Sequence, residues 1–180
     1  MPFVDYTLLS NKYRDGQMAE NIQILEEFDV FHCLLSGSPE VANAAKKRIP
    51  DLPNDFLAWL EVCDGGMLFD TTMLTSKAHD SELGVDFYTY KHFVDSEVRQ
   101  ELNILDDWFV FAIAVHSDIF FFDNKKKDGK VYQWDVEDEV LYMEWETFED
   151  WLNDQIHEAI DLIADEQLMP LSIKVGMTDE

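Results

Sequence analysis

Leu52-Pro53-Asn54-Asp55-Phe56-Leu57-Ala58-Trp59-Leu60-Glu61-Val62-Cys63-Asp64-Gly65-Gly66-Met67-Leu68-Phe69 reads as a short amphipathic helix that runs into an apolar strand. Phe56, Trp59, Leu60 and Cys63 recur at i, i+3, i+4 and i+7, so one helical face would carry two aromatic rings into a core. Pro53 suits the first turn, where its missing N–H costs nothing and its fixed φ already matches the helix. Gly65 or Gly66 would close the helix in the left-handed conformation, where a Cβ would clash. Nothing in the stretch is arranged for catalysis. It speaks to fold.

Outward from it, the upstream chain gives one clear helix. Ser38 is a good N-cap, Pro39 falls at the first helical position, and Lys46, Lys47 and Arg48 face the negative end of the dipole. A less regular pattern predicts a helix over 18–28, after the Arg14-Asp15-Gly16 turn signal. Downstream, Met73 and Leu74 suggest a short strand, Val85, Phe87 and Tyr88 another, and 90–105 a helix. From Asp107 the period changes. Phe109 to Val115 is a continuous apolar run, as in a strand buried on both faces, and Ile119 to Phe122 is its partner across His116-Ser117-Asp118. Val131 to Trp134 and Val140 to Trp145 follow, joined by the acidic turn Asp135 to Glu139. Three hairpin links make an antiparallel meander. Thr147 and Asp150 then form a capping-box-like pair for a last helix, with Phe148, Trp151, Leu152, Ile156, Ala159, Ile160 and Ile163 on one face.

The pattern Leu-Pro-x-Asp-Phe, a hydrophobic helix, Gly-Gly and an apolar pair resembles the signature of the SUKH superfamily, most closely the yeast Smi-one/Knr-four cell wall synthesis regulator domain and its bacterial relatives. Leu52, Pro53, Asp55, Phe56, Trp59, Gly65 and Gly66 carry it, and Asp64 stands where those domains usually have Asn. The later motifs fit as well: Gly129-Lys130-Val131-Tyr132-Gln133-Trp134-Asp135, and Thr147-Phe148-Glu149-Asp150-Trp151-Leu152. Trp134, Phe148 and Trp151 complete the fold signature. Many relatives carry a Gly-Asp turn between the first two strands of the meander; here Ser117 replaces the Gly and Asp118 is kept. The resemblance covers roughly residues 38–163. It implies an α+β fold, a mainly antiparallel twisted sheet of four to six strands packed with helices. It divides the chain into an extension over 1–37 packed on the same domain, a SUKH-like domain over 38–166 and a loosely ordered tail over 167–180.

Composition agrees with a single folded domain: 180 residues, 47% hydrophobic and 13% aromatic. Two cysteines, Cys33 and Cys63, are too few for a disulfide scaffold, and Cys63 reads as a buried, unreactive thiol. No signal peptide and no bilayer-spanning apolar run is visible, so a cytoplasmic location is expected. Charge is the unusual quantity. Thirty-eight acids against thirteen bases leave a net charge of −25, which disfavours nucleic acid and anionic membranes and would either steer in a basic protein or serve only to keep the chain dispersed. Between Val131 and Ile173 there are thirteen acids and no Lys or Arg, although a solvated helix face gains from interleaving both signs.

Enzymatic and metal readings are weak. His157-Glu158 lacks the second His of a zinc-protease motif, since position 161 is Asp. His116 with Asp118 reads first as a polar turn, His79 and His92 have no nucleophile at a telling spacing, and Cys33 beside His32 is adjacent in sequence only, which does not make a catalytic pair. Gly65-Gly66 follows a helix, so it forms no phosphate nest; Lys125-Lys126-Lys127 keeps a hairpin turn soluble. No cofactor, metal or catalytic residue is expected. Bacterial members of the family resemble immunity proteins, which neutralise a cognate toxin, often a basic nuclease. The leading expectation is therefore a non-catalytic immunity protein, monomeric or weakly oligomeric. Its candidate contacts are Asp135, Glu137, Asp138, Glu139, Glu149, Asp150, Asp154, Glu158 and Asp161. The alternative implied by the resemblance is a regulatory scaffold of the cell wall type; an uncharacterised hydrolase built around His116 is a third.

Overall fold

The computed structural model describes residues 4–27, 34–77, 88–94 and 97–164. Its centre is one antiparallel sheet in which neighbours in sequence are neighbours in space. The strands are β1 (Leu34–Ser36), β2 (Cys63–Leu68), β3 (Thr71–Met73), β4 (Trp108–Ala114), β5 (Ile119–Asp123), β6 (Val131–Asp135) and β7 (Val140–Trp145). The α+β architecture is as expected. The sheet has seven strands rather than four to six; β1, three residues long, is too short to write a period-two pattern, whereas the short strand read at Met73 and Leu74 is met by β3. The meander pairs in the expected antiparallel order, with Phe109 opposite Phe122, Phe122 opposite Val131, and Val131 opposite Trp145.

The helices are α1 (Tyr6–Lys12), α2 (Gln17–Glu27), α3 (Pro39–Arg48), α4 (Asn54–Leu60), α5 (Tyr90–Val94), α6 (Glu97–Glu101) and α7 (Phe148–Ala164). α3 starts as read, with Ser38 accepting the Val41 amide at 3.3 Å. α7 starts as read too: Asp150 N–H donates to Thr147 Oγ1 at 3.0 Å, and the Thr147 hydroxyl donates to Asp150 Oδ2 at 2.7 Å. The helix predicted over 90–105 is instead two five-residue helices, α5 and α6. α1 and β1 had no sequence forecast, yet Leu9 and Leu34 join Met18, Ile22 and Leu25 of α2 in the common core. The strand suggested at Val85 and Phe87, together with His32, Cys33, His79 and the tail from 165, lies outside the described residues.

The opening helix ends sooner than its apolar period implies. α4 stops at Leu60, the chain turns at Glu61-Val62, and Cys63 opens β2 rather than extending the helix. Pro53 precedes the helix as its cap residue. Gly65 and Gly66 therefore sit inside a strand and do not cap the helix, although both take positive φ (82° and 118°). At Gly65 the reason is close approach: a Cβ would lie 2.5 Å from the Leu74 carbonyl oxygen. The core sits where α4 and α7 meet the sheet. The Phe56 ring is 5.1 Å from both Phe122 and Phe148, 5.3 Å from Phe111 and 6.0 Å from Phe109. Trp151 stands edge-on to Phe111 at 4.9 Å. Aromatic pairs at these spacings stabilise beyond the area they bury. At the start of β4, the Arg99 guanidinium is buried and donates to the Leu105 and Trp108 carbonyls, the latter at 2.6 Å. Burial lowers its pKa against the opposing pull of Asp106.

Candidate functional site

Asp55 ties the two halves of the signature together. Its Oδ2 accepts the backbone N–H of Phe148 at 2.9 Å and of Glu149 at 3.4 Å, so a residue of α4 caps the positive end of α7. Leu52, Phe56 and Trp59 are buried beside it, as are Phe148 and Trp151 of α7. Trp134 packs against Trp108 at 5.3 Å. Asp64, the departure from the usual Asn, is also buried; it accepts the Ser76 amide at 2.9 Å and hydroxyl at 2.5 Å, stapling β2 to the segment after β3. These residues build the fold. Most of them are buried, with Asp55 and Trp134 partly exposed.

The nine candidate acids fall into separate groups. Asp135 to Glu139 form the β6–β7 turn, where half-buried Asp135 accepts the Asp138 amide at 2.8 Å and Glu139 accepts the Asn103 side-chain amide at 2.7 Å. Glu149 and Asp150 lie at the start of α7; Asp150 is engaged in the cap. Partial burial raises the Glu149 pKa, helped by the charges of Asp55 and Asp150. Asp161 is exposed further along α7. None of the nine forms an ion pair among the described residues, whereas Lys130 takes both Glu144 (3.1 Å) and Glu146 (2.6 Å). Those two carboxylates hold its ammonium charged and raise its pKa.

Asp154 and Glu158 share a cleft of about 250 Å³ between α7, β7 and the β4–β5 turn. Asp70 and Asp118 add two carboxylates, and Phe120, Tyr142 and Trp145 supply aromatic walls. Asp154 Oδ2 accepts the Trp145 indole N–H at 3.0 Å, and Asp118 Oδ2 accepts the Gln133 amide at 2.7 Å. Partial desolvation raises the Glu158 pKa, with Asp70 and Asp154 adding to it. Among the described residues that line it none is Lys or Arg, and His116 is the one basic side chain. Asp70, Asp118, His116 and Tyr142 come from three different turns and strands. Their convergence leaves no spacing in the sequence, though the aromatic strand 140–145 with no cation was a trace of it.

Cys63 is buried, and burial pushes its thiol pKa up, which makes it an inert thiol as the sequence implied. Among the described residues no group of three or more His, Cys, Asp or Glu is placed to hold a metal ion. No helix among them is long and apolar enough to cross a membrane. A protein-family profile described as SMI1 / KNR4 family (SUKH-1) matches residues 38–154. The chain belongs to the SMI1/KNR4 family. Within this SMI1/KNR4 domain the match runs from the cap of α3 through the whole meander to Asp154, so it takes in both motifs joined by Asp55 and one wall of the acidic cleft. No curated protein and no solved structure matches the chain.

Proposed function

We propose that this SMI1/KNR4-family chain is a non-catalytic immunity protein that binds and neutralises a basic toxin of the nuclease type. The observation that carries the reading is the set of carboxylates on the β6–β7 turn and α7 that, among the described residues, form no ion pair with a Lys or Arg. Like charges held together oppose folding, so a surface of one sign supports a role in meeting the opposite sign. A basic partner would relieve that repulsion and be drawn in by it, and a nuclease toxin is basic because it must bind phosphate. The family supports protein binding as the mode of action. Glu137, Asp138, Glu158 and Asp161 are the acids best suited to partner contact, because no hydrogen bond within the described residues engages their carboxylates and, unlike Glu149, they lie away from the Asp55–Asp150 corner that caps α7.

The test is neutralisation in cells. Reading frames flanking the gene are expressed singly and then together with this chain. One product should arrest growth alone and be harmless in its presence. Flanking products that are all innocuous, or a toxic one that the chain does not relieve, would contradict the immunity role and favour a regulatory one.

A further inference from the structure

The two edges of the sheet are unlike. β1 has three residues and buries two of them. β7 has six, and no described strand pairs with its outer side. Its Val140, Leu141, Tyr142 and Met143 are 46%, 51%, 66% and 45% exposed. An exposed apolar edge is a template for another strand, and folds usually blunt it with Lys, Pro or a covering element. β7 contains neither Lys nor Pro. Tyr142 and Met143 also border the acidic cleft, where the Phe120, Tyr142 and Trp145 rings lie beside four carboxylates. Rings that accept an aliphatic stem, next to carboxylates that accept its charged head, suit one Lys or Arg side chain.

We propose that β7 accepts an extended segment of a basic partner protein as an added strand, with a Lys or Arg of that segment seated in the Asp70–Asp118–Asp154–Glu158 cleft. Main-chain pairing along the edge would supply affinity, and the cleft would supply specificity. A second copy of the chain is the poorer occupant, because it would set two bodies of net charge −25 edge to edge. This rests on the partner-binding reading above and assigns it a surface.

The probe is a blocked peptide of alternating Lys and Val, titrated into the ¹⁵N-labelled full chain, with an alternating Glu and Val peptide as its counterpart. The Lys peptide should shift the β7 amides and the Trp145 indole N–H and slow exchange of the outward-facing β7 amides. Its affinity should fall as salt rises; the Glu peptide should do nothing. Glu158→Gln should weaken binding about three- to fivefold. Tyr142→Lys should abolish it in a chain whose spectrum still shows the native dispersion. No binding, or shifts confined to other surfaces, overturns the proposal. So do β7 amides already protected without peptide, or a concentration-dependent dimer, which assign the edge to another segment of the chain or to a second copy. A positive titration without growth rescue would remove the immunity role and keep the edge. Growth rescue with a negative titration would do the reverse.

Discussion

The Asp55 carboxylate receives two first-turn amides of a helix that begins 93 residues later, at Phe148. That contact explains why Asp follows Leu-Pro-x in the opening motif: a neutral, shorter side chain would leave those amides uncapped. Asp55→Ala should lower stability by about 1–2 kcal/mol, read as a shift of the urea midpoint, and Asp55→Asn by less, since the acceptor survives. An unchanged midpoint in the Ala variant would show that α7 does not depend on this cap. Glu149 sits in the same acidic corner with its pKa raised, so the folded state holds its proton more tightly than the unfolded chain. Its ionisation therefore subtracts stability as pH rises through the carboxylate range. Glu149→Gln should gain about 0.2–0.5 kcal/mol at neutral pH, and the gain should vanish in acid, where both states are protonated. A gain that persists at low pH would point to packing instead of charge.

Among the elements, the long patterned ones were legible and the short ones were not. α3, α7 and β4 to β7 each offer a cap or a clean period. β1 offers three residues without a pattern, and of the three in β3 only Met73 was legible. Cys63 misled because an apolar residue at i+7 of a helix and an apolar residue opening a buried strand look alike in sequence; the turn at Glu61-Val62 decides between them. The cleft was illegible for another reason, since Asp70 and Asp118 are brought together only by the sheet order and Glu158 only by the packing of α7. Two substitutions test the elements. Phe56→Ala removes the ring that joins α4 to β4, β5 and α7, and should cost about 3–5 kcal/mol in chemical denaturation. A loss near 1 kcal/mol would mean the site collapses to fill the gap. Ser117, at the turn where relatives carry Gly, is held at φ 74°, which disfavours a side chain. Ser117→Gly should raise the thermal midpoint, with a gain of up to about 1 kcal/mol; a lower midpoint would show that the hydroxyl supports the turn.

Across the whole molecule, the hydrophobic centre and the charged exterior answer different demands. Aromatic rings from α4, α7 and the sheet make a core that needs no disulfide. The exterior carries a net charge of −25, with few Lys or Arg placed to offset it. Self-repulsion of that kind is screened by salt, so the thermal midpoint at neutral pH should climb as NaCl is raised from low concentration. A flat response would mean that the carboxylates are too far apart to matter to folding. Much of the acidic set works structurally: Asp135, Glu139, Asp150 and Asp154 each accept a hydrogen bond. Glu137, Asp138, Glu158 and Asp161 are the ones whose reversal tests recognition without disturbing the fold. The decisive measurement is the association rate constant with the neutralised toxin across a range of salt, for the native chain and for a variant carrying Lys at those four positions. The native rate should fall steeply as salt rises, and the variant should associate more slowly with a shallower slope; equal rates and equal slopes would contradict an acidic surface made for a basic partner.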